Sequence, residues 1–258
     1  MLINSFIIIL REVFEAALIV SVLLALCQIL QLPRRYFLLS FMLGSILAIV
    51  YAINISSISM LFEGVGQEII NASLHFISFI CLQILIFSIA SSSSSKMILW
   101  AIVGSFSAAF VREGFEIIIY ILGFVGIEHL FDSVVAGSFI GAGVGFSIGV
   151  FFYYLIVSFN PLNGLRLGLF VLILVSGAMM IQALQLLIQA DIIISQVPLW
   201  NSSGWVRESS VTGQILYALL GYESTPSPIQ VVAYSASLLF SSTLAIKSLN
   251  AYKMRIKE

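Results

Sequence analysis

Charge is scarce in this chain. Asp, Glu, Lys and Arg make up 9% of its 258 residues, where a water-soluble domain carries about a quarter. With 60% of residues hydrophobic and a mean hydropathy of +1.13, no soluble fold of this length hides its apolar surface behind so few charges. The bilayer is the solvent that this composition fits. Cysteine is rare as well: Cys27 and Cys81 both lie inside apolar runs. With no C-x-x-C pair, they read as buried structural thiols rather than a redox or metal centre. Basic patches are missing and the net charge is −1, so nucleic acid is not expected as a partner. No H-E-x-x-H, no Gly-x-Ser-x-Gly and no haem or flavin signature occurs, which leaves an intramembrane enzyme without a mechanism.

What the chain does have is long apolar segments. Seven of them, 3–31, 36–61, 69–91, 97–125, 133–159, 167–190 and 228–248, are long enough to span roughly 30 Å of hydrocarbon as helices. The expected fold class is therefore all-α, a polytopic membrane protein with seven transmembrane helices. Leu32-Pro33-Arg34-Arg35, the serine run 91–95 with Lys96, and Asn160-Pro161-Leu162-Asn163-Gly164 supply turns between segments. No Lys or Arg precedes the first apolar run, and Arg11, Glu12 and Glu15 interrupt it. It is expected to be a permanent helix rather than a cleaved signal. The stretch from about residue 191 to 228 is more polar and holds Trp200 and Trp205. It reads as an extramembrane loop lying partly on the bilayer surface, with a short helix over 209–220 ended by Gly221.

The basic residues sort by side. With seven spans, Arg34, Arg35, Lys96, Arg166 and the tail residues Lys247, Lys253, Arg255 and Lys257 all fall on one side. Glu63, Glu68, Glu128, Asp132, Asp191, Glu208 and Glu223 fall on the other, with Arg207 the one basic residue among them. The positive-inside rule then puts the N-terminus outside and the C-terminus in the cytoplasm. Six or eight spans would break this sorting.

Two charged triplets interrupt the apolar runs. Arg11-Glu12-Val13-Phe14-Glu15 and Arg112-Glu113-Gly114-Phe115-Glu116 both read R-E-x-x-E, the second 101 residues after the first. An ionisable residue at mid-bilayer costs about 2.5–3.5 kcal/mol, so six of them facing lipid would cost on the order of 15–20 kcal/mol. They are expected to face one another, a partner helix or a water-filled path. Arg and the second Glu of each triplet are four residues apart and share a helix face. The first Glu points about 100° away. Together the triplets carry a net −2 when all six groups are ionised, a charge that a hard cation neutralises. The bland alternative is interhelical glue, but glue needs no extra carboxylate in each set.

Odd-numbered copies insert in opposite senses. The matching triplets therefore suggest an inverted repeat of two three-helix units, 1–95 and 96–190, followed by the outer loop 191–227 and a seventh helix with cytoplasmic tail over 228–258, all within one membrane domain. Substrate sites of such repeats lie near the midplane, where the units meet. Gly137, Gly141, Gly145 and Gly149 form a small-x-x-x-small stripe in the fifth segment, with Gly44, Ala48 and Ala52 as a weaker counterpart in the second.

With both triplets in a seven-helix frame, the sequence resembles the oxidase-dependent iron permeases over most of its length. Phe62-Glu63-Gly64-Val65-Gly66-Gln67-Glu68 and Leu220-Gly221-Tyr222, with Pro226 and Pro228 following, strengthen the resemblance. It departs from the usual wording at Val13-Phe14, where Gly-Leu is common, and lacks the extra acidic motifs of the fungal members. The resemblance implies uptake of iron as substrate, Fe2+ or Fe3+, across an inner membrane, with no cofactor held permanently. It implies Glu12, Glu15, Glu113 and Glu116 as the metal ligands, Arg11 and Arg112 as their charge partners, and a ferroxidase, peroxidase or periplasmic iron-binding protein as partner. Glu63 and Glu68 are candidates for collecting iron at the outer mouth, or are solvated loop charges.

The remaining polar residues carry weaker signals. His75 and His129 read as packed or solvated side chains, with His129, Glu128 and Asp132 a weak transient metal cluster. Gln182 and Gln185 either line a path or hold helices together, and Asp191 marks the outer end of a span. The rival functions are a carboxylate-based transporter of another divalent cation and a membrane subunit or sensor that binds iron without moving it.

Overall fold

The computed structural model describes residues 1–90 and 95–257. Among them the chain is helix and turn, without a strand. Nine α-helices follow in order: α1 (Leu2–Ile29), α2 (Arg35–Ile53), α3 (Ile55–Ser59), α4 (Gly66–Ala90), α5 (Ser95–Leu122), α6 (Glu128–Val157), α7 (Pro161–Gln189), α8 (Val211–Leu220) and α9 (Pro228–Lys257). Five of these, α2, α4, α6, α7 and α9, are long and apolar enough to cross a membrane. The other two long helices, α1 and α5, carry the charged triplets. Large apolar side chains cover the exterior: Leu38, Phe139, Phe146, Val232 and Leu239 are each more than three-fifths exposed. Such a surface belongs against lipid, not water.

Several boundaries differ from those the apolar runs suggest. The run 36–61 is not one span. It ends at Ile53, where the Asn54 amide folds back to donate to the Val50 carbonyl (2.8 Å). After the single turn α3, a 3₁₀ turn over Leu61–Gly64 holds Phe62, Glu63 and Gly64 at φ 52°, 63° and 103°. Left-handed residues cannot continue a right-handed helix. Hydropathy misses this reversal because Ile55, Ile58, Met60 and Leu61 stay apolar through it. A β-carbon on Gly66 would lie 2.0 Å from the Ile58 carbonyl oxygen, so the chain doubles back tightly there. Helix α4 therefore starts at Gly66 rather than 69 and takes Glu68 into its first turn. Helix α6 starts five residues early, and α7 starts at Pro161, where the Asn160 side chain accepts from Asn163 N (2.9 Å). Helix α9 runs nine residues past 248. The short helix expected over 209–220 is α8, capped by Ser210 Oγ accepting from Gly213 N (3.0 Å) and ended by Gly221 at φ 66°. Of the serine run 91–95, residues 91–94 lie outside the described residues.

Close approach, rather than apolar burial, drives helices together in lipid, and the small residues mark where it happens. Helices α1 and α6 run parallel. A β-carbon on Gly137 would lie 2.4 Å from the Leu2 carbonyl oxygen, and one on Gly141 2.6 Å from that of Phe6. Helices α2 and α5 also run parallel, with Phe37 on Phe106 (ring centroids 5.9 Å apart) and Gly44 beneath Phe110. Further along, Tyr51 stacks on Phe115 (3.9 Å), and Ala52 packs beside that pair. Helix α4 lies against α5, α7 and α9. Its tie to α9 is polar: Gln83 Nε2 donates to Ser241 Oγ (2.9 Å), which also meets Ser176 Oγ (3.1 Å). Between these helices sits a core built on Phe14, Leu18, Leu26, Leu82, Leu85 and Leu172.

Candidate functional site

Helices α1 and α5 cross antiparallel. Ser5 Oγ meets Tyr120 Oη (2.8 Å) at one end of the contact, and Arg112 meets Glu15 at the other. That register sets the two triplets face to face. Arg112 Nη1 donates to Glu15 Oε2 (3.1 Å) and Glu113 Oε1 (2.6 Å), and its Nη2 faces Glu116 Oε1 at 3.0 Å. Arg11 Nε donates to Glu12 Oε1 (2.7 Å), its Nη2 also pairs with Glu12, and that Nη2 reaches across to Glu116 Oε2 (3.5 Å).

This pairing corrects the expectation of two equivalent i,i+4 bridges. Only Arg112–Glu116 forms one; Glu15 belongs to Arg112 of the other triplet, and each first glutamate is held by the arginine beside it. The cross-links come from the antiparallel contact, which no single helix face encodes. At 1.5 Å per residue, Glu12 lies about 15 Å from the start of α1 and Glu113 about 14 Å from the end of α5, in helices about 42 Å long. Both triplets sit in the half nearer Leu2 and Leu122.

The two ends of the cluster differ in access. Arg112, Glu15 and Glu113 are buried, whereas the side chains of Arg11 and Glu116 are 27% and 24% exposed. They open onto two cavities. One, of about 350 Å³, is lined by Arg11, Glu12, Glu116, Gln67, Glu68 and Asn71. The other, of about 300 Å³, lies under α8 and is lined by Arg11, Arg112, Gln185, Gln189, Glu208 and Tyr217, with Gln214. Among the described residues, no three carboxylate, histidine or cysteine side chains are gathered into a ready-made metal cage. The guanidinium groups stand between the carboxylates instead. Several buried polar atoms have no protein partner: Glu12 Oε2, Glu15 Oε1, Glu68 Oε2, Glu113 Oε2 and Gln182 Oε1.

The apolar residues inside the triplets explain the local sequence. Phe14 and Phe115 are buried, with Phe14 near Phe152 of α6 and Phe115 under Tyr51 of α2. A β-carbon on Gly114 would lie 3.3 Å from Cβ of Ala48, so α5 supplies the small residue at that crossing. At the matching crossing the roles are reversed: Val13 is large, and Gly145 of α6 makes room for it. The unusual Val13 is thus compensated from the neighbouring helix.

The model of the iron permease FTR1 family matches residues 2–257. The chain belongs to that family. It is a multi-pass membrane protein of a family of iron permeases. Comparison with curated proteins and with solved structures gave no match.

Within the permease, the six triplet residues converge, and Glu68 joins them at the first cavity. Glu63 does not: it is exposed in the 3₁₀ turn and lines neither cavity. Gln182 and Gln185 both face the cluster, Gln182 Nε2 reaching Glu15 Oε2 at 3.5 Å and Gln185 accepting from Tyr217 Oη at 3.5 Å. His129 and Asp132 are exposed, while the Glu128 side chain lies outside the described residues. Sequence reasoning placed the helix α8 but missed that its residues Gln214 and Tyr217 reach the site. Gln214 Oε1 accepts from Arg11 Nη1 (3.5 Å), and the Arg11 guanidinium lies 5.9 Å from the Tyr217 ring centre. The signal was available: Gln214 and Tyr217 are three residues apart on one face of a helix with two clear caps.

Proposed function

We propose that this permease moves iron ions across the cytoplasmic membrane into the cell, carried by Glu12, Glu15, Glu113 and Glu116. One observation carries the reading: acidic side chains from two antiparallel helices interlock in a patch that is buried at one end and open to cavities at the other. The arginines act as internal counter-ions. They keep the carboxylates charged and spaced, and an arriving cation takes over the oxygens as a guanidinium gives way. Glu68, with a buried oxygen lacking a partner, passes the ion from the first cavity to Glu116 and Glu12. Hard carboxylate oxygens suit iron better than they suit copper(I).

The reading includes seven spans, an inverted repeat and an N-terminus outside. Supporting the repeat, the second long helix of each three-helix unit packs parallel to the first helix of the other unit, α6 on α1 and α2 on α5. Supporting the orientation, Arg34, Arg35, Lys96 and Arg166 fall at one end of the spans, and the cavities with Glu68 and Glu208 at the other. A ferroxidase or periplasmic iron-binding partner would then deliver iron to the α8 side. The test is iron uptake into vesicles, offered as Fe2+ and as Fe3+, with and without a ferroxidase and with competing dications. Accumulation that other dications do not match supports the reading. Equilibrium iron binding without accumulation would make the chain a sensor or subunit instead.

A further inference from the structure

Beneath the carboxylate cluster lies a buried histidine that the scheme above leaves unused. His75 sits on α4, seven residues and so about 10 Å along the helix from Glu68, and it is 2% exposed. Its Nδ1 lies 3.1 Å from Met179 Sδ on α7. A thioether sulfur can only accept, so Nδ1 carries the proton and Nε2 presents a bare lone pair. That Nε2 has no partner. A histidine whose one ring nitrogen donates to a fixed acceptor, with the other nitrogen free, is how proteins prepare that side chain to bind a metal. Simple packing does not need this residue, because a buried unpaired nitrogen costs stability that a leucine would not.

The surroundings supply further donors. Gln182 lies three residues beyond Met179, on the same face of α7. Its Nε2 reaches Glu15 Oε2 (3.5 Å), while Gln182 Oε1 and Glu15 Oε1 are buried without partners. We infer that His75 Nε2, Gln182 Oε1 and Glu15 Oε1 form a second, inner station for a transition-metal dication, reached from the carboxylate cluster through Glu15. This inference rests on the carboxylate reading above. Its chemistry adds something that reading lacks: imidazole nitrogen favours iron-like dications over calcium and magnesium, which carboxylates alone do not distinguish well.

The chain has only two histidines, His75 and His129, which makes a spectroscopic test unambiguous. Mn2+ is bound to the purified full chain in detergent and examined by electron spin-echo modulation. The expected result is nitrogen modulation from one imidazole in the unmodified chain and in His129→Gln. Labelling histidine with ¹⁵N changes its pattern, so the test does not depend on any variant folding. His75→Gln should still bind Mn2+ through carboxylates but without the imidazole signal. Met179→Leu should weaken the imidazole-coupled site about tenfold. Saturable Mn2+ binding that Glu15→Gln abolishes, with no imidazole coupling, would overturn this station and leave the carboxylate reading standing. Absence of saturable Mn2+ binding would overturn both.

Discussion

The two arginines are equivalent in sequence but not in the fold, and their replacement by glutamine separates them. Arg112 is buried and serves Glu15, Glu113 and Glu116, two of which are also buried. Its loss strands carboxylates inside the bundle, a defect that costs about 3–5 kcal/mol. Arg11 is 27% exposed at a cavity that water can fill, and its loss strands one buried carboxylate, Glu12, which lines that same cavity, rather than two. That loss should cost about 1–2 kcal/mol, in the range of a charged hydrogen bond partly replaced by water. At about 2–4 °C per kcal/mol for a chain of this size, Arg112→Gln lowers the melting temperature on the order of 10 °C, and Arg11→Gln on the order of 3 °C. The assay is thermal unfolding in detergent, followed by fluorescence-detected gel filtration. Adding Glu113→Gln to Arg112→Gln should recover part of the loss, because the stranded charge is removed with its partner. Equal losses from both single variants, or a larger one from Arg11→Gln, would refute the asymmetry.

Further outcomes follow from particular positions. Gly141→Ala drives a β-carbon into the backbone of α1 and should cost about 1–3 kcal/mol, whereas Gly143→Ala, which meets nothing within 4 Å, should stay within about 0.5 kcal/mol on the same melting assay. Glu68→Gln should raise the iron concentration needed for half-maximal vesicle uptake with little change in maximal rate, while Glu63→Gln should leave both unchanged. Glu223, outside the spans, is pushed up to about 7 by burial and by the nearby Glu208 charge, against a hydrogen bond from Gln230. The folded state then binds more protons than the unfolded state between about pH 4.5 and 7, so the 221–230 corner loses stability as pH rises through that window. Hydrogen-exchange protection there, the intrinsic rate at each pH divided by the observed one, should fall from pH 5 to pH 8, and Glu223→Gln should flatten the change.

The sequence made the helices and the chemistry legible where one-dimensional signals carry them. Apolar length revealed the long helices, caps revealed α8, and the cost of buried charge marked the two triplets as partners. What it could not carry is contact between elements. The Arg112–Glu15 and Arg11–Glu116 pairs exist because α1 and α5 cross antiparallel in one register, and neither helix alone encodes that register. The break after Ile53 stays hidden because residues 55–61 remain largely apolar while the backbone turns left-handed at Phe62. The place of α8 over Arg11 is likewise a tertiary fact. So is the neighbourhood of His75, which as a lone histidine in an apolar run gives no sign of its bare nitrogen.

The central claim is that carboxylates from both triplets carry the ion together, so the deciding measurement takes one buried glutamate from each. Vesicles containing only the purified permease are loaded with radioactive iron for the unmodified chain, for Glu15→Gln and for Glu113→Gln, with insertion checked by protease protection. Uptake should fall to the level of empty vesicles in both variants while insertion is unchanged. Iron accumulation at the unmodified rate in either variant would contradict the account.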